Sequence, residues 1–220
     1  MAKLKVGVVL SGCGVYDGSE IHEAVCMLLA IDEAQAEAVC FAPDVDLDEI
    51  DHLTQQPTGQ RRSVLRESAR IARGNIRDVT EANAEELDAL LFPGGFGAAK
   101  NLCDFATAGS ECTAHPEVER LVLEMIDAKK PVGFACIAPA LGAKILSKVG
   151  GAELTIGNDA GTAAAIGEMG SRHLDCACRN IVVDSGKKVV STPAYMLGPG
   201  IADINSGIAK MVREVLSLCG

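Results

Sequence analysis

Lys130-Pro131-Val132-Gly133-Phe134-Ala135-Cys136-Ile137-Ala138-Pro139-Ala140 reads as a short buried strand, Val132 to Ala135, that breaks at Cys136 into a helix opening at Ala138-Pro139. Pro139 suits a first helical turn, because its missing N–H would have no intrahelical partner there. A cysteine at such a junction stands at the mouth of a sheet, near the positive end of a helix. That setting predicts a nucleophile elbow with an exposed sulfur and a lowered thiol pKa. The plainer alternative is a buried cysteine acting as a small apolar side chain, the expectation for most of the nine cysteines.

Upstream of the elbow, Pro116 to Ala128 is amphipathic through Val118, Leu121, Val122, Met125 and Ile126, with Lys129 and Lys130 favourable at its C-terminal dipole. Glu85 to Phe92 reads as a helix end running into a strand, which stops at Pro93-Gly94-Gly95-Phe96-Gly97. Leu4 to Leu10 reads as a strand buried on both faces. Ser11 to Gly18 is then a glycine-punctuated loop, and Ser19 caps a helix from about Glu20 with Ile21, Ala24, Val25, Leu28 and Leu29 on one face. Ala38 to Phe41 completes a strand–helix–strand unit. The segment from Pro43 to Gly74 is acidic and then basic, with helical spacing over Ser63 to Arg73 and Val64, Leu65, Ala69 and Ile71 as the apolar side. Downstream of the elbow come a buried helix, Ala138 to Val149, then strand-like runs at Leu154 to Ile156, Ile181 to Val183 and Val189 to Ser191. A closing helix spans Ile201 to Leu218. With no repeat and no long linker, residues 1–220 are predicted to form one domain, an α/β doubly wound, mostly parallel sheet.

Composition narrows the function. A formal charge of −10 and an aromatic content of five Phe, two Tyr and no Trp argue against nucleic acid or an anionic membrane as partner. The loop Gly12-Cys13-Gly14-Val15-Tyr16-Asp17-Gly18 lacks the dinucleotide spacing, so NAD binding is not expected. Cys176-Ala177-Cys178 without a second pair is a weak zinc signal, and no metal is expected. Many free thiols and no signal peptide or spanning segment lead to the expectation of a cytoplasmic protein.

A cysteine nucleophile needs a proton acceptor and donors aimed at the developing oxyanion. The Ile137 N–H is one donor, and Gly94 or Gly95 a candidate second, because their loop ends a strand at the same sheet edge. Glu20 and Glu23 are the candidate carboxyls, three residues apart in the first crevice-edge helix, although both also suit the helix dipole as ordinary first-turn acids. His22 stands between them as a possible additional group. His115 is a base only if its loop folds over the crevice, and His52 and His173 read as surface residues.

Gly18-Ser19-Glu20-Ile21-His22-Glu23-Ala24-Val25, Pro93-Gly94-Gly95 and Ala135-Cys136-Ile137-Ala138-Pro139-Ala140 resemble the three signature stretches of the ThiJ/PfpI superfamily. Leu10 to Ala24, Pro93 to Leu102, Gly109 to Thr113 and Thr192 to Leu197 are similar to its ElbB family, which is linked to isoprenoid biosynthesis. The resemblance implies a flavodoxin-like, class I glutamine-amidotransferase-like domain, usually a homodimer. It also implies cofactor-independent glyoxalase III-type lyase activity on a small aldehyde, converting glyoxal or methylglyoxal to glycolate or lactate. On that resemblance Cys136 is the nucleophile, Glu23 rather than Glu20 its carboxyl partner, and the Gly95 and Ile137 amides the oxyanion site. Two positions depart from the pattern: Ile137 stands where hydrolytic relatives carry histidine, and Phe134 where many have a small residue. The alternatives are a non-enzymatic redox or carbonyl-stress sensor with a reactive cysteine, and a glutaminase-like amidotransferase subunit.

Overall fold

The computed structural model describes residues 3–219. The N-terminal unit is β1 (Lys5–Val9), α1 (Ile21–Glu33) and β2 (Glu37–Ala42), followed by a hairpin of β3 (Asp46–Asp51) and β4 (Gln56–Ser63). Then come α2 (Val64–Ile71), β5 (Ile76–Asp78), β6 (Ala89–Phe92), the short α3 (Phe96–Lys100) and α4 (Phe105–Ala108), and α5 (Pro116–Asp127). The elbow joins β7 (Val132–Ala135) to α6 (Ala138–Leu146). Next are β8 (Glu153–Leu154), α7 (Ala160–Glu168), β9 (Arg172–His173), β10 (Val182–Asp184), β11 (Val189–Thr192) and α8 (Ile201–Ser217).

Seven strands form one sheet in the order β10-β11-β7-β6-β1-β2-β5, parallel throughout except for β10 at its edge. The central strands are apolar on both faces, and their period of two divides them between two cores. Leu90, Phe92, Val132 and Phe134 point to the side covered by α5 and α6. Val6, Val8, Leu91 and Ala135 point to the side covered by α1 and α8. Phe92 stacks on Phe134 at 5.1 Å between ring centroids, so the bulky Phe134 two residues before the cysteine is a core side chain. Because β7, β6 and β1 are neighbours running the same way, their carboxyl ends bring the elbow, the Pro93–Gly97 loop and the first glycine loop to one crevice. This is a doubly wound, mostly parallel α/β architecture.

Several local readings need correction. The acidic-then-basic segment is largely the β3–β4 hairpin, in which Asp48 lies opposite Arg61 and Leu47 opposite Arg62. Arg61 pairs with Asp46 and Asp48, and Arg62 with Glu49 and Glu67, so the two charge runs are cross-strand partners. The cap of α1 is Glu20, whose carboxylate accepts the Glu23 N–H at 2.7 Å; the Ser19 hydroxyl instead accepts the Ser11 N–H at 2.9 Å. The buried face of α1 carries Glu23, Ala24, Cys26, Met27, Ala30 and Ile31, leaving Ile21, Val25 and Leu29 between 41% and 49% exposed. The strand expected over Leu154 to Ile156 is the two-residue β8, paired with β9 outside the main sheet, and α7 has no counterpart in the sequence reading.

Candidate functional site

The backbone at Cys136 has φ +60°, a left-handed conformation that costs a β-carbon-bearing residue ~1–3 kcal/mol and marks a strained turn. The Cys136 N–H donates to the Thr192 carbonyl at 3.0 Å, continuing the β7–β11 ladder up to the break. Pro139 lies in the first turn of α6, as its chemistry requires. The sequence folds this way because a run of buried strand formers meets a proline-led helix with no loop between them.

Glu23 reaches the elbow from α1. It is fully buried, and its carboxyl hydrogen-bonds the Cys136 thiol. Oε2 accepts the Gly94 N–H at 2.8 Å and Oε1 the Tyr195 N–H at 3.1 Å. Burial pushes the Glu23 pKa from 4.5 up to about 7, and the nearby Glu20 carboxylate adds to the rise against the opposing pull of the Tyr195 and Gly94 amides. Glu23 therefore gains and loses its proton near neutral pH.

Gly94 is confined by both partners: a β-carbon there would lie 2.4 Å from Cys136 Cβ and 2.7 Å from Glu23 Oε2. Gly95 has φ +92°, and a β-carbon on it would meet the Glu20 nitrogen at 2.3 Å. The amides of Gly95 and Ile137 both hydrogen-bond the Cys136 sulfur. Gly94 is not free to join them, since its N–H is committed to Glu23. Of the two glycines considered as a second donor, only Gly95 faces the sulfur.

The expected exposed, acidified sulfur is corrected. Cys136 is 8% exposed, and its pKa is raised, first by burial and then by the Glu23 carboxylate. The two amides oppose this but are outweighed, because the elbow is closed over by the loops that create it.

Glu20 is a positioning residue: its carboxylate caps α1 and its N–H donates to the Gly94 carbonyl at 2.9 Å. His22 faces outward with a half-exposed side chain and shares a 2.7 Å hydrogen bond with the Tyr195 hydroxyl. His115 caps α5, with its N–H donating to the Leu102 carbonyl and Asp78 and Glu117 as charged neighbours, so its loop does not cover the elbow. His52 is exposed beside Tyr16. His173 is not a surface residue: its side chain is 8% exposed, and Nε2 accepts the Ile156 N–H.

Tyr195 is the site residue that sequence reasoning missed as such. Its backbone orients Glu23, and the available signal was that Thr192-Pro193-Ala194-Tyr195 leaves another strand at the same sheet edge. The first loop is braced by Asn101, whose side-chain amide donates to the Ser11 and Asp17 carbonyls at 2.8 Å each, and by the Ile50 N–H on Asp17. Among the described residues no cluster of three or more metal-ligating side chains is assembled, and no helix is long and apolar enough to cross a membrane.

No family model matches the chain. It is 48% identical to human "Glutamine amidotransferase-like class 1 domain-containing protein 3, mitochondrial", over 98% of this chain and 84% of that protein. It is 45% identical to the rat "ES1 protein homolog, mitochondrial", over 99% and 85%, and 31% identical to the zebrafish "ES1 protein, mitochondrial", over 97% and 85%. The crystal structure of an isoprenoid biosynthesis protein with an amidotransferase-like domain from Ehrlichia chaffeensis superposes with a TM-score of 0.90 at 36% identity, covering 97% of this chain and 99% of that one. Drosophila melanogaster DJ-1β shares the fold at 15% identity with a TM-score of 0.54, covering 99% of this chain and 96% of that one. The cytoplasmic expectation is overturned by these relatives, which are mitochondrial proteins by name; free thiols report a reducing environment and not a cellular address. Sequence and architecture together place the chain in the ThiJ/PfpI superfamily, beside its ElbB-type, amidotransferase-like isoprenoid-biosynthesis members.

Proposed function

We propose that the chain is a cofactor-independent glyoxalase III-type enzyme acting on a two- or three-carbon α-oxoaldehyde. The observation that carries this reading is the fully buried Glu23 carboxyl hydrogen-bonded to Cys136 at a left-handed elbow, with the Gly95 and Ile137 amides on the sulfur. A thiol of raised pKa needs a base as it attacks, and Glu23 is in contact with it. The sulfur adds to the aldehyde carbon of glyoxal while its proton passes to Glu23, and the new oxyanion takes the two amides and then a proton, giving a hemithioacetal. Glu23 moves the proton on that carbon, through an enediol, to the neighbouring carbon, leaving a thioester. Water cleaves the thioester to glycolate and returns the thiol, so glyoxal plus water becomes glycolic acid with no net redox change. The close walls around the sulfur restrict the site to small substrates. A single positioned carboxyl contributes ~10²–10⁴-fold, which sets an expectation of slow turnover. Glyoxal consumption by wild type and by Cys136→Ser is the test: loss of the rate in the variant supports the reading, and equal rates end it.

Burial and the raised thiol pKa weigh against an oxidant sensor at Cys136, and Ile137 in place of histidine weighs against a glutaminase. The same reading takes the chain as one domain acting as a homodimer. The exposed Ile21, Val25 and Leu29 lie at i, i+4 and i+8 along α1, and this apolar stripe is the proposed contact face.

A further inference from the structure

The segment leaving β11 makes a second strained turn beside the elbow. Among the described residues, seven non-glycine residues have a positive φ. Gln35, Gln55, Arg73, Lys129 and Lys188 lie in turns outside the core, whereas Cys136 and Ala194 are buried. These two stand just past the ends of the paired strands β7 and β11, where Ala135 lies opposite Thr192. Ala194 has φ +44°, and its carbonyl accepts the Leu197 N–H at 3.2 Å, the Gly198 N–H at 2.8 Å and the Cys178 thiol at 3.6 Å. Backbone strain of this kind persists only where its surroundings over-determine it, and it collects where geometry serves function. Its consequence falls on the next residue: Tyr195, in the short turn Ala194–Met196, aims its N–H at the Glu23 carboxyl.

Consecutive residues of α1 grip this one tyrosine. Glu23 Oε1 accepts its N–H at 3.1 Å, and His22 Nδ1 lies 2.7 Å from its hydroxyl, a hydrogen bond that either partner can donate. The two rings are 5.9 Å apart between centroids, and Glu20 Oε1 is 3.9 Å from the same imidazole nitrogen. We propose that His22 and Tyr195 are positioning residues whose side-chain bond holds the Ala194 turn so that the Tyr195 N–H stays on Glu23. The ionisable groups facing Glu23 are Cys136 beyond β7, Glu20 and Cys26 on α1, and Cys178 and Tyr195 in the segments flanking β10 and β11. These are all acids, and none favours the ionised carboxyl through its own charge. Hydrogen bonds do so instead, the Tyr195 amide foremost, then the Gly94 amide and the Cys136 thiol. A half-exposed bridge on the surface thus governs how readily a buried group gives up its proton. The bridge's bearing on rate rests on the glyoxalase reading, whereas its bearing on Glu23 does not.

The test follows the Glu23 carboxyl carbon by NMR across pH, in the full chain isotopically labelled at its glutamate carboxyls. The resonance missing from Glu23→Gln assigns it. In Tyr195→Phe and in His22→Ala its titration should move up by ~1 pH unit, the effect of releasing one amide from a carboxylate. His22→Asn, whose side-chain amide still reaches the hydroxyl, should titrate near wild type. The double variant, Tyr195→Phe with His22→Ala, should shift no further than either single one, as the two ends of one bond must. Tyr195→Phe retains the ring, the main-chain amide and the imidazole, so an effect of His22 charge alone would leave its titration in place. An unmoved Glu23 titration in Tyr195→Phe, or additive shifts in the double variant, overturns the proposal. Glyoxal kcat/KM against pH then separates this role from the reaction, because its acid limb should move with the titration. A shifted titration in a chain whose wild type consumes no glyoxal upholds the positioning role and ends the glyoxalase reading. A fixed titration beside an active wild type does the reverse.

Discussion

Replacing Glu23 by Gln removes a titration that folding itself must carry. The carboxyl has a pKa of 4.5 when unperturbed and about 7 in the folded chain. At ~1.4 kcal/mol per pH unit, that difference is worth about 3 kcal/mol. The folded state binds the proton more tightly than the unfolded one, so this contribution is fully present below about pH 4.5. It is lost as pH rises to about 7 and is flat beyond. Gln carries no such dependence. It carries a constant cost instead, because one of the two amides now on the carboxyl, Gly94 or Tyr195, would face an NH₂ group and lose its acceptor. Leaving that donor unpaired costs ~1–3 kcal/mol. Urea unfolding of both proteins between about pH 4.5 and 8, compared at each pH, isolates the effect, since titrating groups distant from Glu23 cancel in the difference. Wild type should be the more stable at the acid end, and its advantage should shrink by about 3 kcal/mol by pH 7.5 and vanish or reverse. A difference that stays flat with pH refutes the placement of a proton-holding carboxyl at the elbow.

Gly94→Ala should abolish glyoxal consumption and lower stability by ~1–3 kcal/mol, read from urea midpoints, because its β-carbon would occupy space held by Cys136 and Glu23. Maleimide labelling of the native chain at pH 7.5, followed by peptide mapping, should find Cys136 slower than the partly exposed Cys176 and Cys178; a fast Cys136 would contradict its burial and raised pKa. Val25→Asp places a charge in the middle of the exposed α1 stripe and should convert a dimer to monomer in sedimentation equilibrium with unchanged circular dichroism. A dimer that persists assigns the contact to another face.

The fold was legible where burial on both faces left no other reading. The aliphatic runs around Val6 and Val132 and the proline-led α6 specify β1, β7 and the elbow almost to the residue, and the run around Leu90 specifies where β6 ends. The β3–β4 hairpin was legible in principle, since Asp46, Asp48 and Glu49 find their charges in Arg61 and Arg62, but its strands lack the apolar alternation that normally announces them. The α7 helix was missed because its glycine- and alanine-rich sequence, with Ile166 its one fully covered side chain, has no amphipathic stripe. At the site, Cys136, Glu23, Gly95 and Ile137 were named before any geometry and are brought together by the fold. Gly94 proved to serve the carboxyl, and Glu20 the helix cap.

The amino-acid sequence alone determined the buried central strands, where the chain must bend sharply, and which cysteine stands at that bend, because these follow from neighbours a few residues apart. Tertiary structure decided the protonation chemistry. How far a thiol and a carboxyl are withdrawn from water, and which main-chain amides point at each, depends on Tyr195, Gly94 and Glu23 meeting from three distant parts of the chain. Desolvation is a property of the closed crevice, so a sulfur whose local sequence promised acidity is held as a thiol beside a carboxyl that titrates near neutrality.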